Sequence, residues 1–89
     1  MNKAFNLDDP TEVSDFIKTF GTLKGIALAH RLGISGKGAK VRANSLSNYA
    51  WNKHTAIDLR LQGKIETART YEAICDRIYA EMHPSVKTW

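Results

Sequence analysis

The strongest constraint in this chain is a reversal. Between Ser45 and Met82, two apolar stripes at helical spacing stand on either side of Gly63. In the second stripe, Ala68, Tyr71, Cys75, Ile78 and Met82 recur at intervals of three, four, three and four residues, the repeat of one helix face. Glu66, Arg69, Thr70, Ala73 and Arg77 fall on the other side of that helix. Leu46, Tyr49, Ala50, Ile57 and Leu61 form the first stripe. Gly63 can take the left-handed conformation that ends one helix and turns the chain back. The pattern predicts an antiparallel helical hairpin over about 45–82 and, with it, an all-α fold. The expected architecture is a small four-helix domain, with two short N-terminal helices packed across one face of the hairpin in an up-and-down bundle.

The N-terminal helices carry their own signals. Asp9-Pro10-Thr11-Glu12 is a helix start: Asp9 can cap free amides, Pro10 suits the first helical position, and Glu12 can reach back. Val13, Phe16, Ile17 and Phe20 then form a short apolar stripe that Gly21 ends. Thr22 stands as the cap of a second helix, Leu23 to Leu32, with Leu23, Ile26, Ala27 and His30 along one face. Gly25 costs this helix up to ~1 kcal/mol relative to alanine, so packing must hold it. Gly33 is placed to end it, with Ile34 folding back as the apolar partner of that ending. Residues 35–44 read as a basic glycine loop, after which Asn44 or Ser45 caps the hairpin. Residues 1–9 read as a loose lead-in. His83-Pro84 stops the last helix, leaving a tail over 83–89 whose terminal Trp89 can tuck back.

At 89 residues, 43% hydrophobic and 25% charged, the chain has room for one domain with one modest core. No run approaches the roughly 20 apolar residues of a membrane-spanning helix. The start is polar and acidic by Asp8, unlike a signal peptide, so a cytoplasmic location is expected. Cys75 is the sole cysteine and lies on the apolar seam, which fits a buried, inert thiol and excludes an internal disulfide or a cysteine metal cluster. His30, His54 and His83 show no metal-ligand spacing to one another or to Cys75. Glu72 and Asp76 share a helix face, but Lys64 and Arg69 are near enough to neutralise them. No catalytic set, cofactor site or small-molecule substrate site emerges, and a non-enzymatic protein is expected.

Charge is distributed unevenly around a net +4. Asp8, Asp9, Glu12 and Asp15 make an acidic start. From Phe16 to Ile57 there is no acid, while Lys18, Lys24, Arg31, Lys37, Lys40, Arg42 and Lys53 fall within that span, with His30 and His54 besides. A centre of one sign suggests an anionic partner, nucleic acid first. Gly33 to Gly38 is not an ATP-binding loop: two residues, not four, precede the Gly-Lys pair, and no strand leads into it. Gly33-Ile34-Ser35-Gly36 has the letters of the RNA-binding KH loop, but the chain has no candidate strands for the sheet of that family.

Leu28-Ala-His-Arg-Leu-Gly-Ile-Ser35 resembles the first helix and turn of a helix-turn-helix DNA-binding motif. Ala29 is the small residue where the two helices cross, Gly33 opens the turn, and Ile34 is the apolar residue after it. Gly36 and Gly38 depart from the pattern by falling where the recognition helix should begin. The reading therefore places that helix near Ser45, after a turn about ten residues longer than the usual three or four. The resemblance implies binding to double-stranded DNA: Lys37, Lys40, Arg42 and Lys53 would meet phosphates, and Asn48 would reach base edges. The hairpin is also similar to the helix pair of a tetratricopeptide repeat, with Gly63 at the turn, Ala68 in the second helix and Pro84 after it, but only one copy is present.

Trp51 and Leu59 lie away from the seam of their own helix. They support the alternative to DNA binding, a protein adaptor docking through a helix face with Trp51 or Leu59 as anchor. Together with the small size and the tyrosines on the seam, Trp51 also points to a homodimer. Small size and a basic centre have the character of accessory proteins of phages and plasmids.

Overall fold

The computed structural model describes residues 5–89. It contains four α-helices and a closing turn of 3-10 helix: α1 (Pro10–Phe20), α2 (Gly25–Leu32), α3 (Ala39–Leu61) and α4 (Ile65–Glu81), then Pro84–Val86. Among the described residues there is no strand. All other elements pack chiefly on α3, and α3 with α4 forms the hairpin. At about 1.5 Å per residue, the 23 residues of α3 run most of the 41 Å long axis.

The hairpin turns where the sequence placed the reversal. Gly63 has φ +81°. The amide of Lys64 donates to the Leu59 carbonyl at 2.9 Å and that of Gly63 to the Arg60 carbonyl at 3.0 Å, the paired bonds of a Schellman ending. Ala68 and Cys75 of α4, and Met82 just beyond its end, are buried at seven-residue spacing, and the Cys75 thiol faces the Tyr49 carbonyl of α3 at 3.9 Å. Ala56 and Ala68, both small and buried, lie on the two helices near the turn. The first stripe does not hold to its end, because Leu61 is 81% exposed and Ile57 only half-buried.

Three boundaries differ from expectation. First, α3 begins at Ala39, six residues before Ser45, so residues 39–44 are helix rather than loop. Only Gly33–Gly38 separates it from α2. Ala39, Ala43 and Leu46 share the face that packs on the core, and that burial outweighs the absence of a side-chain cap. Second, α2 begins at Gly25, with Lys24 rather than Thr22 at its cap position. A Cβ on Gly25 would stand 2.7 Å from Cγ of Lys40 and 2.5 Å from Oδ1 of Asn44, so glycine is where α2 comes closest to α3. Third, residues 5–9 are not loose. Phe5 and Leu7 are buried, and the Phe5 ring meets Phe16 and Phe20 edge-on at 5.3 and 5.8 Å. Asp9 caps α1 as expected, accepting from the amides of Thr11 and Glu12. Residues 1–4 of the expected lead-in lie outside the described residues.

Candidate nucleic-acid interface

The segment that joins α2 to α3 is built from backbone outward. The Gly33 amide donates to His30 and the Ile34 amide to Ala29, closing α2 with the same paired bonds that close α3. Gly33, Gly36 and Gly38 all have positive φ, so the chain reverses in six residues without strain. Arg42, one turn into α3, then folds back over this segment. Its Nη1 donates to the Lys37 carbonyl at 2.7 Å and its Nη2 to the Ser35 carbonyl at 2.6 Å. A guanidinium presents its donors in a rigid planar fork, which suits it to holding two carbonyls at once.

That geometry separates the five residues singled out for nucleic acid. Lys37 and Lys40 are exposed, and among the described residues no acid pairs with either. Asn48 is exposed; its backbone carbonyl accepts from Asn52, and its side-chain amide bonds to none of the described residues. Arg42 is committed to the turn as described. Lys53 faces inward: its side chain is 19% exposed, its ammonium lies 3.1 Å from the Asp8 carboxylate, and it stands 5.7 Å from the centre of the Tyr49 ring. It also bears electrostatically on Glu72, whose carboxyl is lowered chiefly by the Arg60 hydrogen bond. The reason is position: residue 53 comes one turn after Tyr49, on the side of α3 that meets α4 and the N-terminal segment. Lys53 therefore closes an internal network and does not join the cations near the turn.

The surface that remains is α2, the turn and the start of α3. Lys24 and Arg31 are exposed at the two ends of α2, Lys37 in the turn and Lys40 in the first turn of α3, and among the described residues none of the four pairs with an acid. Lys40, Asn44 and Asn48 recur every fourth residue and are all exposed, one above another on α3. Ile26 and Val41 are also largely exposed there, at 73% and 67%. Glu81 bounds this surface, in a groove it lines with Lys37, Val41, Ser45 and His83. The sequence offers Asn44 or Ser45 as a cap, and it singles out neither Lys24 nor Arg31 for nucleic acid. The signal for Asn44 was its four-residue spacing between Lys40 and Asn48.

A second polar group lies on the far side of α3. The Tyr49 hydroxyl donates to Asp8 at 2.5 Å, and Lys53 completes the set. Burial alone would raise the Asp8 carboxyl, but the Tyr49 hydroxyl and the Lys53 ammonium outweigh it and hold it below its usual value of 3.8. Burial first, and Asp8 second, push the Tyr49 phenol well above its ordinary value. Trp89 packs between Tyr49 and Tyr79 at 5.2 and 5.3 Å between ring centres, and its carbonyl accepts from the Tyr79 hydroxyl at 2.7 Å. These contacts fasten both ends of the described chain to the hairpin.

The two adaptor residues are less available than their sequence positions suggest. Trp51 is 45% exposed, with one edge against the end of α1, where a Cβ on Gly21 would stand 3.3 Å from the indole. Leu59 is half-buried. Among the described residues no group of three or more His, Cys, Asp and Glu could hold a metal ion. No helix there is long and apolar enough to cross a membrane. Compared with known proteins, the chain matches no family model, no curated protein and no solved structure at a significant level.

Proposed function

We propose that this protein is a small, non-enzymatic DNA-binding regulator that meets duplex DNA with α2, the 33–38 turn and the first half of α3. One observation carries the reading: among the described residues, each Lys and Arg exposed on that surface is free of an acid partner, while the ion pairs of Lys53, His54 and Arg60 lie elsewhere on the molecule. Six residues between α2 and α3 also bring the pair nearer to helix-turn-helix spacing than the sequence suggested. In this role Lys24, Arg31, Lys37 and Lys40 meet phosphates, and Asn44 and Asn48 face base edges, where asparagine can pair with adenine. Arg42 shapes the turn without touching DNA.

Binding to a mixed-sequence duplex, followed by fluorescence anisotropy, tests it. Four phosphate contacts predict an affinity loss of about 100-fold between about 50 and 200 mM salt. Replacing Lys37 and Lys40 with alanine should lower the salt slope by about two. Undiminished binding by the double variant, or no binding by the parent at low salt, removes the proposal. The adaptor reading, anchored on Trp51 or Leu59, is supported less, since both residues are partly covered by the chain itself.

A further inference from the structure

The hairpin is longer than the body that covers it. The core takes Ala43, Leu46, Tyr49 and Ala50 from α3, Cys75 from α4 and Met82 just after it. Beyond these, over residues 56–72, the two helices run on with only Ala56 and Ala68 buried. The side of α3 that α1 and α2 cover does not stop being apolar there. Ala43, Leu46 and Ala50 continue at helical spacing into Ile57 and Leu61, and Ile65 stands across the turn. None of these three belongs to the core or packs against it. Leu61 and Ile65 are among the large apolar side chains the fold leaves in solvent.

From this continuity we infer that a second copy of the chain covers the hairpin tip, making a two-fold dimer of hairpins. Charge decides for a second copy. A two-fold interface sets each patch against itself, so a surface of one sign opposes pairing. The basic surface of α2 and the turn is such a surface. The tip is not: exposed Asp58 and Glu66 alternate with exposed Lys64 and Arg69 around Leu61 and Ile65. An antiparallel pairing of tips can therefore bring opposite charges together at the rim of an apolar centre. The Arg60–Glu72 pair, with both groups already engaged, bridges α3 and α4 at the tip. The inference does not depend on DNA binding, and the pairing would leave the basic surface of each copy free.

Sedimentation equilibrium from micromolar to submillimolar concentration tests the pairing. The parent should be a dimer. Leu61→Glu, placed twice in each dimer at an exposed position, should raise the dissociation constant about 100-fold or more while leaving the helical circular dichroism intact. Ile65→Lys provides a second tip variant with the same expected outcome. Ile26→Glu and Ile74→Glu, at exposed apolar positions elsewhere, should remain dimeric. A parent that stays monomeric throughout overturns the inference and leaves the tip to a different protein. Dimers that survive both tip substitutions, or that dissociate with Ile26→Glu or Ile74→Glu instead, overturn it as well.

Discussion

Replacing Arg42 with alanine should destabilise the fold more than it alters the electrostatic part of DNA binding. The side chain makes two charge-assisted bonds, to the carbonyls of Lys37 and Ser35 at 2.7 and 2.6 Å. Such bonds are worth about 1.5–3 kcal/mol each when well shielded. Arg42 is only half-buried, so water competes for both carbonyls, and the pair together should contribute about 2 kcal/mol. Arg42→Lys keeps the charge but reaches one carbonyl at most, and should lose roughly half of that. Urea unfolding at constant m-value measures both variants, and hydrogen exchange of the amides over 35–39 reports the turn directly. The reasoning fails if Arg42→Ala unfolds within about 0.5 kcal/mol of the parent while its salt slope for DNA falls by about one. That result would make Arg42 a phosphate contact whose bonds to the turn contribute nothing.

Tyr49→Phe removes the donor of the Tyr49–Asp8 hydrogen bond, and Asp8→Asn weakens the same bond by removing the charge of its acceptor. Each should cost about 1–2 kcal/mol, with the double variant no worse than the larger single change, as a double-mutant cycle in denaturant would show. The folded-state Asp8 carboxyl is depressed below 3.8, so its contribution is present above that value and is lost as pH falls through the lower folded value. The stability difference between parent and Asp8→Asn should be flat near neutrality and shrink below pH 3.8; a constant difference down to pH 2 would remove the electrostatic account. Burial pushes the Cys75 thiol up to about 11, so it should alkylate at neutral pH at least about 100-fold more slowly in the native state than in denaturant. Rapid native labelling would show that α4 opens readily from α3.

Period and turn chemistry made the hairpin legible in the sequence. Gly63 between two apolar stripes, Asp9-Pro10 before a third, and Gly33 after a fourth each specify a local conformation through bonds within a few residues. The structure keeps all three. What the sequence left undetermined depends on partners distant in the chain. Ala39 to Asn44 read as loop because two glycines and three cations precede or fill it, yet burial of Ala39 and Ala43 continues the helix through them. Thr22 was a good cap on local grounds, but the close approach of Gly25 to Lys40 and Asn44 moved the start of α2.

The basic centre shows the same division. Sequence alone determined that no acid falls between Phe16 and Ile57, and therefore that cations there have no local partner. Only the tertiary structure decided which of them stay free. Asp8 lies 45 positions before Lys53 yet reaches it across α3, and two carbonyls of the turn claim Arg42. Side-chain charge is a property of the residue and can be counted along the chain. Whether that charge is spent inside the molecule depends on distances of a few ångströms, which folding sets between residues the sequence keeps far apart.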